Sequence, residues 1–170
     1  MLIPAHFLLA GVITFFSTPS NSTAGIDEAN RFFDSYVAME RAFDPAISGL
    51  YDEFAKIEKT RRNEKGETQT FYVSVPRYKA FLHLKLPYDK RQGNVSQYSN
   101  VSFSAEGDGV RINAEKHSRF AKGSSSSVSM LVAPNLNGQW RIHEQIIEQN
   151  PVEECSGSDP VCRMKVSIDE

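Results

Sequence analysis

The chain is poor in the residues on which most chemistry is built. Its 170 residues include two cysteines, four histidines and one tryptophan. There is no excess of either charge: 19 Lys and Arg stand against 21 Asp and Glu, for a formal net charge of -2. No global field therefore draws nucleic acid to it. The densest basic run, Lys59 to Arg62, is balanced by Glu58 and Glu64 and reads as a solvated strand end. No glycine-rich loop leads into a helix to hold phosphate, and no Ser-His-Asp or Cys-His set assembles into a nucleophile. Spanning a bilayer takes about 20 consecutive apolar residues, and no stretch supplies them. The remaining 40% hydrophobic and 24% charged residues are the mix of one soluble globular domain.

Charge is also absent where its absence informs. The first 24 residues contain no Lys, Arg, Asp or Glu, and an apolar core from Phe7 to Phe16 precedes a polar run and Ser22-Thr23-Ala24. That layout predicts a secretory signal peptide over 1–24, cleaved before Gly25, with the mature chain secreted or periplasmic and free of any membrane span. In an oxidising compartment Cys155 and Cys162 are expected to pair across Ser-Gly-Ser-Asp-Pro-Val as a staple on the tail. Closing so short a loop contributes roughly 2.5 kcal/mol in the chain-entropy model. Asn94-Val95-Ser96 and Asn100-Val101-Ser102 are sequons that matter only in a host that glycosylates exported proteins.

Hydrophobic spacing predicts the elements. Ile26, Ala29, Phe32, Phe33, Tyr36, Val37 and Phe43 recur at helical intervals, so Ile26 to Phe43 reads as an amphipathic helix. Asp44-Pro45 caps and starts a second, shorter helix. Phe54 to Arg61 and Thr68 to Val73 are candidate strands, and a third helix starts at Ser74-Val75-Pro76 and is expected to end at Pro87. Long alternating segments follow: Asn94 to Glu106, Val110 to Lys122, Ser127 to Ala133, and a last strand in Asn137 to Glu148. This order predicts an α+β domain over 25–150, one curved antiparallel sheet around three helices, with 151–170 as a separate tail.

The residues Phe32 to Tyr51 (FFDSYVAMERAFDPAISGLY) resemble the first helix, Asp-led corner and second helix of the nuclear transport factor 2-like superfamily, which includes the SnoaL-like and ketosteroid isomerase families. The stretch Asn137 to Ile142 (NGQWRI) resembles that superfamily's final hairpin and Trp-bearing last strand. The resemblance covers Ile26 to Asn150 and implies a cone-shaped fold with a central cavity. The same architecture serves isomerases, cyclases, dehydratases, ligand carriers and docking modules, so fold alone selects no function. A ketosteroid isomerase needs a carboxylate base and two oxyanion donors. Tyr36 falls where the helix tyrosine belongs, but Lys59 or Thr60 stands at the base position and about Met130 at the second acid. The isomerase chemistry does not transfer.

Site expectations follow from strand alternation. Trp140, Ile142, Glu144, Ile146 and Glu148 share one face if the last strand is regular, and Val110, Ile112, Ala114, Lys116, Ser118 and Phe120 form a similar row. With both rows inward, Tyr36, Lys116 and Glu144 become the polar contacts of a cavity walled by Phe120 and Trp140. A bulge that carries Glu144 to the rim is the alternative. The expected ligand is a small apolar or amphipathic molecule. The rival readings are a SnoaL-like enzyme with Glu144 as acid/base and a dimerisation or interaction module using the sheet. No cofactor is implied. His117 and His143 are expected two strands apart, about 9.6 Å, and on a solvated face, and His83 among leucines, so no metal site is assigned.

Overall fold

The computed structural model describes residues 22–62, 67–118 and 125–150. The leader up to residue 21, the cysteine pair, Phe120 and the tail lie outside the described residues. Helix α1 (Ser22–Ala42) is followed by a 3-10 helix (Pro45–Leu50), β1 (Tyr51–Arg62), β2 (Thr68–Val73), α2 (Val75–Gln92), β3 (Ser96–Glu106), β4 (Gly109–Ser118), β5 (Ser125–Pro134) and β6 (Trp140–Asn150).

The corner after α1 is built locally. Phe43 closes the helix in the left-handed region at φ 55, and Asp44 N donates back to the Met39 carbonyl at 2.9 Å. Asp44 Oδ1 then accepts from Ala46 N at 2.9 Å, with Pro45 at the first helical position. The segment is only six residues, and it winds as the tighter 3-10 form that such short pieces adopt.

Helix α2 departs from expectation, because Pro87 does not end it. The helix runs on to Gly93, whose left-handed φ of 63 lets its N–H reach the Asp89 and Lys90 carbonyls. An internal proline costs about 3 kcal/mol. That cost is offset here by burial of Leu86, and the buried Asp89 is compensated by an ion pair from Lys85 that steps across the proline turn.

The six strands form one curved, unclosed sheet in the order β2-β1-β6-β5-β4-β3. Every pairing is antiparallel except β1 with β6, which run parallel. The β3–β6 meander fixes the direction of β6, and β1 then joins from the helical side. Close approach at the β4–β5 pair requires a glycine: a Cβ on Gly109 would sit 2.5 Å from the Val132 carbonyl oxygen.

The inner face packs on the helices. Ala29, Phe32, Phe33 and Tyr36 of α1, Tyr78, Phe81, Leu82 and Leu86 of α2, and Val110, Ile112, Ala114, Val128, Met130, Val132 and Ile142 of the sheet form one core. The inward row of β4 is as expected over Val110, Ile112, Ala114 and Lys116. That of β6 is not. Val132 pairs with Ile142, but Leu131 pairs with Glu144, so His143 is an extra residue in β6. Opposite it, the register of β1 steps from Tyr51 to Lys56, with Phe54 exposed and Ala55 buried within the step. A single-residue bulge reverses alternation. Beyond His143 the odd residues turn inward: Gln145 is fully buried and Ile147 packs on the core.

Candidate functional site

The concave side of the sheet carries polar groups as well as apolar ones. On α1, Glu40 follows Tyr36 by four residues and continues the stripe of Phe33 and Tyr36 into the interior. Strand β3 supplies Ser96 and Tyr98, and β4 supplies Lys116. The Glu40 carboxylate accepts from Tyr98 Oη at 2.6 Å and from Ser96 Oγ at 3.3 Å, and it is ion-paired with Lys116. Lys116 also lies 5.6 Å from the centre of the Tyr98 ring. On the far side Tyr51 donates its hydroxyl proton to Gln145 Oε1 at 2.8 Å. The tyrosine hydroxyls interact in series, Tyr78 with Tyr51, Tyr51 with Tyr36, and Tyr36 with Tyr98. Rings enclose them: Phe33 meets Tyr98 edge-on at 5.4 Å, and Tyr51 meets Tyr78 at 5.2 Å.

Electrostatics fix the protonation states. Burial works to raise the Glu40 carboxyl, but Lys116 and the Tyr98 hydroxyl outweigh it and hold it below the ordinary carboxylate value. Burial works to lower Lys116, yet Glu40 and the surrounding hydroxyls raise it. Burial pushes Tyr36, Tyr51, Tyr78 and Tyr98 upward. Lys85 goes the other way, lowered by burial and by the Lys116 charge against the pull of Asp89. Near neutral pH the cluster therefore holds an ionised pair and neutral phenols.

Tyr36 and Lys116, both expected in the site, meet there. Glu144 does not join them. The bulge turns it to the outer face, where it accepts from Arg111 Nη1 at 2.7 Å and lies 3.7 Å from Lys56. Arg111 also binds Glu106, donating from Nε at 2.9 Å. The carboxylate that pairs with Lys116 is Glu40. Trp140 precedes the bulge, is half-buried and packs against the core. Glu40 was legible as an acid four residues beyond Tyr36 on an otherwise apolar stripe. Gln145 was not, because its facing depends on the bulge.

Two of the three histidines, His83 and His143, differ from expectation, and His117 lies on the solvated face expected of it. His83 is exposed rather than packed, with Nε2 3.3 Å from Ser48 Oγ. His143 is half-buried at the bulge, and its Nε2 has no hydrogen-bond partner. His117 is exposed and 3.0 Å from Ser99 Oγ. Among the described residues no three His, Cys, Asp or Glu side chains converge as a metal site.

This order of elements and its curved sheet are shared with solved structures. A nuclear transport factor 2-like protein of unknown function from Pseudomonas putida KT2440 superposes with a TM-score of 0.59 at 13% identity, covering 79% of this chain and 98% of that one. A nuclear transport factor 2-like protein with a cystatin-like fold from Novosphingobium aromaticivorans gives 0.53 at 12% identity over 82% and 87%. Nuclear transport factor 2 from Cryptosporidium parvum gives 0.52 at 16% identity over 76% and 98%. No family model and no curated protein matches the sequence. The chain has the α+β cone fold of the nuclear transport factor 2-like superfamily. Identities this low establish fold and leave function to the site.

Proposed function

We propose that this protein is an exported domain that binds a small, partly apolar molecule at the tyrosine-lined interior of the cone. One observation carries the reading: an ion pair and four phenol hydroxyls are buried together where the fold needs only packing. Replacing a buried ion pair by apolar side chains is often neutral or stabilising, so stability alone does not explain retaining one. The hydroxyls orient a polar end of the ligand, and the rings of Phe33, Tyr98 and Tyr78 hold its apolar body. Proton transfer fits less well, since acid-base work needs a group that titrates near the working pH. Glu40 is pulled down, while Lys116 and the phenols are raised. The enzyme alternative with Glu144 as acid/base loses its residue to the outer face. The charge-free leader supports export.

The test is native mass spectrometry of protein purified from its own source, to identify a retained molecule, followed by titration of that molecule. Tyr36→Phe, which removes a hydroxyl at nearly constant volume, is expected to weaken binding about tenfold, and Glu144→Gln to leave it unchanged. The reverse pattern would sink the proposal.

A second reading is favoured by one observation. Phe54, within the register step of β1, is 91% exposed, and Tyr72 on β2 is 69% exposed. An interaction module would use such aromatics as anchors, in a homodimer through the sheet or on another protein. A dimer in sedimentation that Phe54→Ser dissolves would support it.

A further inference from the structure

Two Asn-Val-Ser triplets lie close together in the chain, Asn94-Val95-Ser96 at the start of β3 and Asn100-Val101-Ser102 within it, and the fold treats them differently. Asn94 is half-buried and engaged at both ends of its amide. Its Nδ2 donates to Asp89 Oδ1 at 3.1 Å, and its Oδ1 accepts from Ser118 Oγ at 2.6 Å. The hydroxyl residue of that triplet, Ser96, is buried, and its Oγ donates to Glu40 Oε1 at 3.3 Å. A sugar on Asn94 Nδ2 would enter the contact with Asp89 and strip a donor from a buried carboxylate.

The second triplet is presented to solvent. Asn100, Val101 and Ser102 are all exposed. Strand β3 is an edge of the sheet, and its ladder to β4 passes from Ser99 opposite Glu115 to Ser102 opposite Asn113. Asn100 and Val101 therefore face the single residue Ala114 as a bulge, which re-aims side chains and loosens the ladder. Asn100 sits there at a left-handed φ of 53, a conformation asparagine adopts more readily than most side chains. With Asn113, Ser127 and Ser129 it lines a depression of about 260 Å³ on the outer face of the sheet.

We propose that Asn100 is the N-glycan acceptor of this chain in a secretory pathway that glycosylates, and that Asn94 is not used in the folded protein. The inference rests on the export reading and is independent of the interior site. The co-reactant is an oligosaccharide carried on a lipid pyrophosphate. The Asn100 amide nitrogen attacks C1 of the first sugar, the C–O bond to the pyrophosphate breaks, the lipid pyrophosphate leaves, and the amide gives up one proton. Ser102 supplies the hydroxyl that completes the sequon. Attachment precedes folding, so folding acts as the filter. A chain carrying the sugar on Asn100 folds with it in solvent, whereas one carrying it on Asn94 cannot close the Asp89 contact. The bulky, soluble glycan then lies over the outer depression and guards the open edge of β3 against pairing with another strand. Phe54 and Tyr72, at the opposite end of the sheet, stay uncovered.

The experiment secretes the full chain, with its own leader, from a glycosylating eukaryotic host. Folded product from the medium is treated with peptide N-glycosidase in heavy-oxygen water, which converts each glycosylated Asn into labelled Asp, and peptides are read by mass spectrometry. Asn100 is expected to carry the label, with at least about tenfold less at Asn94. Ser102→Ala changes one exposed hydroxyl and is expected to abolish the label at Asn100 while leaving the melting temperature unchanged. A secreted product unlabelled at Asn100, comparable label at Asn94, or label that survives Ser102→Ala overturns the proposal. A second chain, with residues 1–24 replaced by a leader of the host, separates this inference from the export reading. If only that chain reaches the medium and it is labelled at Asn100, the native leader is refuted and the glycan site stands. If it is secreted without label, or if neither chain reaches the medium folded, the glycan site is refuted.

Discussion

Glu40 and Lys116 form an ion pair in the interior, and each needs the other. Removing one partner of a buried pair leaves an uncompensated charge and typically costs 3–5 kcal/mol. Lys116→Met is therefore expected to destabilise strongly, and the double change Glu40→Leu with Lys116→Met to recover much of the loss; thermal melts of the single and double variants measure the coupling. The pH dependence has a definite sign. The Glu40 carboxyl lies lower folded than unfolded, so its contribution is fully present above the unfolded value of about 4.3 and is lost as pH falls through the folded one. An acid melt series is expected to show stability falling below about pH 4, with the slope reduced in Glu40→Gln. An unchanged slope would mean the carboxylate is not buried in a pair. Of these residues, Tyr36 was visible from its place on the first helix and Lys116 from alternation along β4. Glu40 was visible in principle, since a carboxylate at i+4 from a buried tyrosine shares its face. That the partner of Lys116 would be a helix residue 76 positions away, rather than Glu144 on the same sheet, required the packed structure.

Elements were the most legible level. Helical and strand periods, the Asp44-Pro45 corner and the Gly107-Asp108-Gly109 turn all place their elements from local rules. Two elements were misjudged, for different reasons. Pro87 looked like a stop because the missing N–H is a local penalty, whereas tertiary burial of Leu86 is not a local property. Pro87→Ala should test that balance. It returns the helix donor and is expected to stabilise by about 2 kcal/mol in denaturant titration. A loss of stability would show that the proline sets a bend the packing requires. Strand β6 reads as regular, with a bulge that carries Glu144 to the rim as the alternative, because no glycine or proline marks His143. Its bulge at His143 coincides with register shifts against both neighbours, between Tyr51 and Lys56 of β1 and between Leu131 and Val132 of β5. Strand β5 is the other arm of the same hairpin, but β1 arrives from far earlier in the chain.

At the scale of the whole molecule, the cone brings α1, α2, β1, β3, β4 and β6 around one polar interior and leaves an ion-paired outer face with exposed Phe54 and Tyr72. No helix among the described residues is long and apolar enough to cross a membrane. Export and the Cys155–Cys162 bond are read from the chain and are proposals about its mature form. Intact mass measured on protein secreted from its own host is expected to begin at Gly25 and to lack the two thiol hydrogens until reduced. A product retaining Met1, or one with alkylatable thiols, would contradict them.

The amino-acid order by itself determined the periods, the caps, the turns and the inward row of β4, because each depends on residues within a turn or two of one another. Tertiary structure decided the facing of β6 beyond His143, the parallel match of β1 to β6 and the choice of Glu40 over Glu144 as the buried acid. Strand alternation propagates a single irregularity along everything that follows it, and this one faces a register break in β1, a strand that arrives from far earlier in the chain.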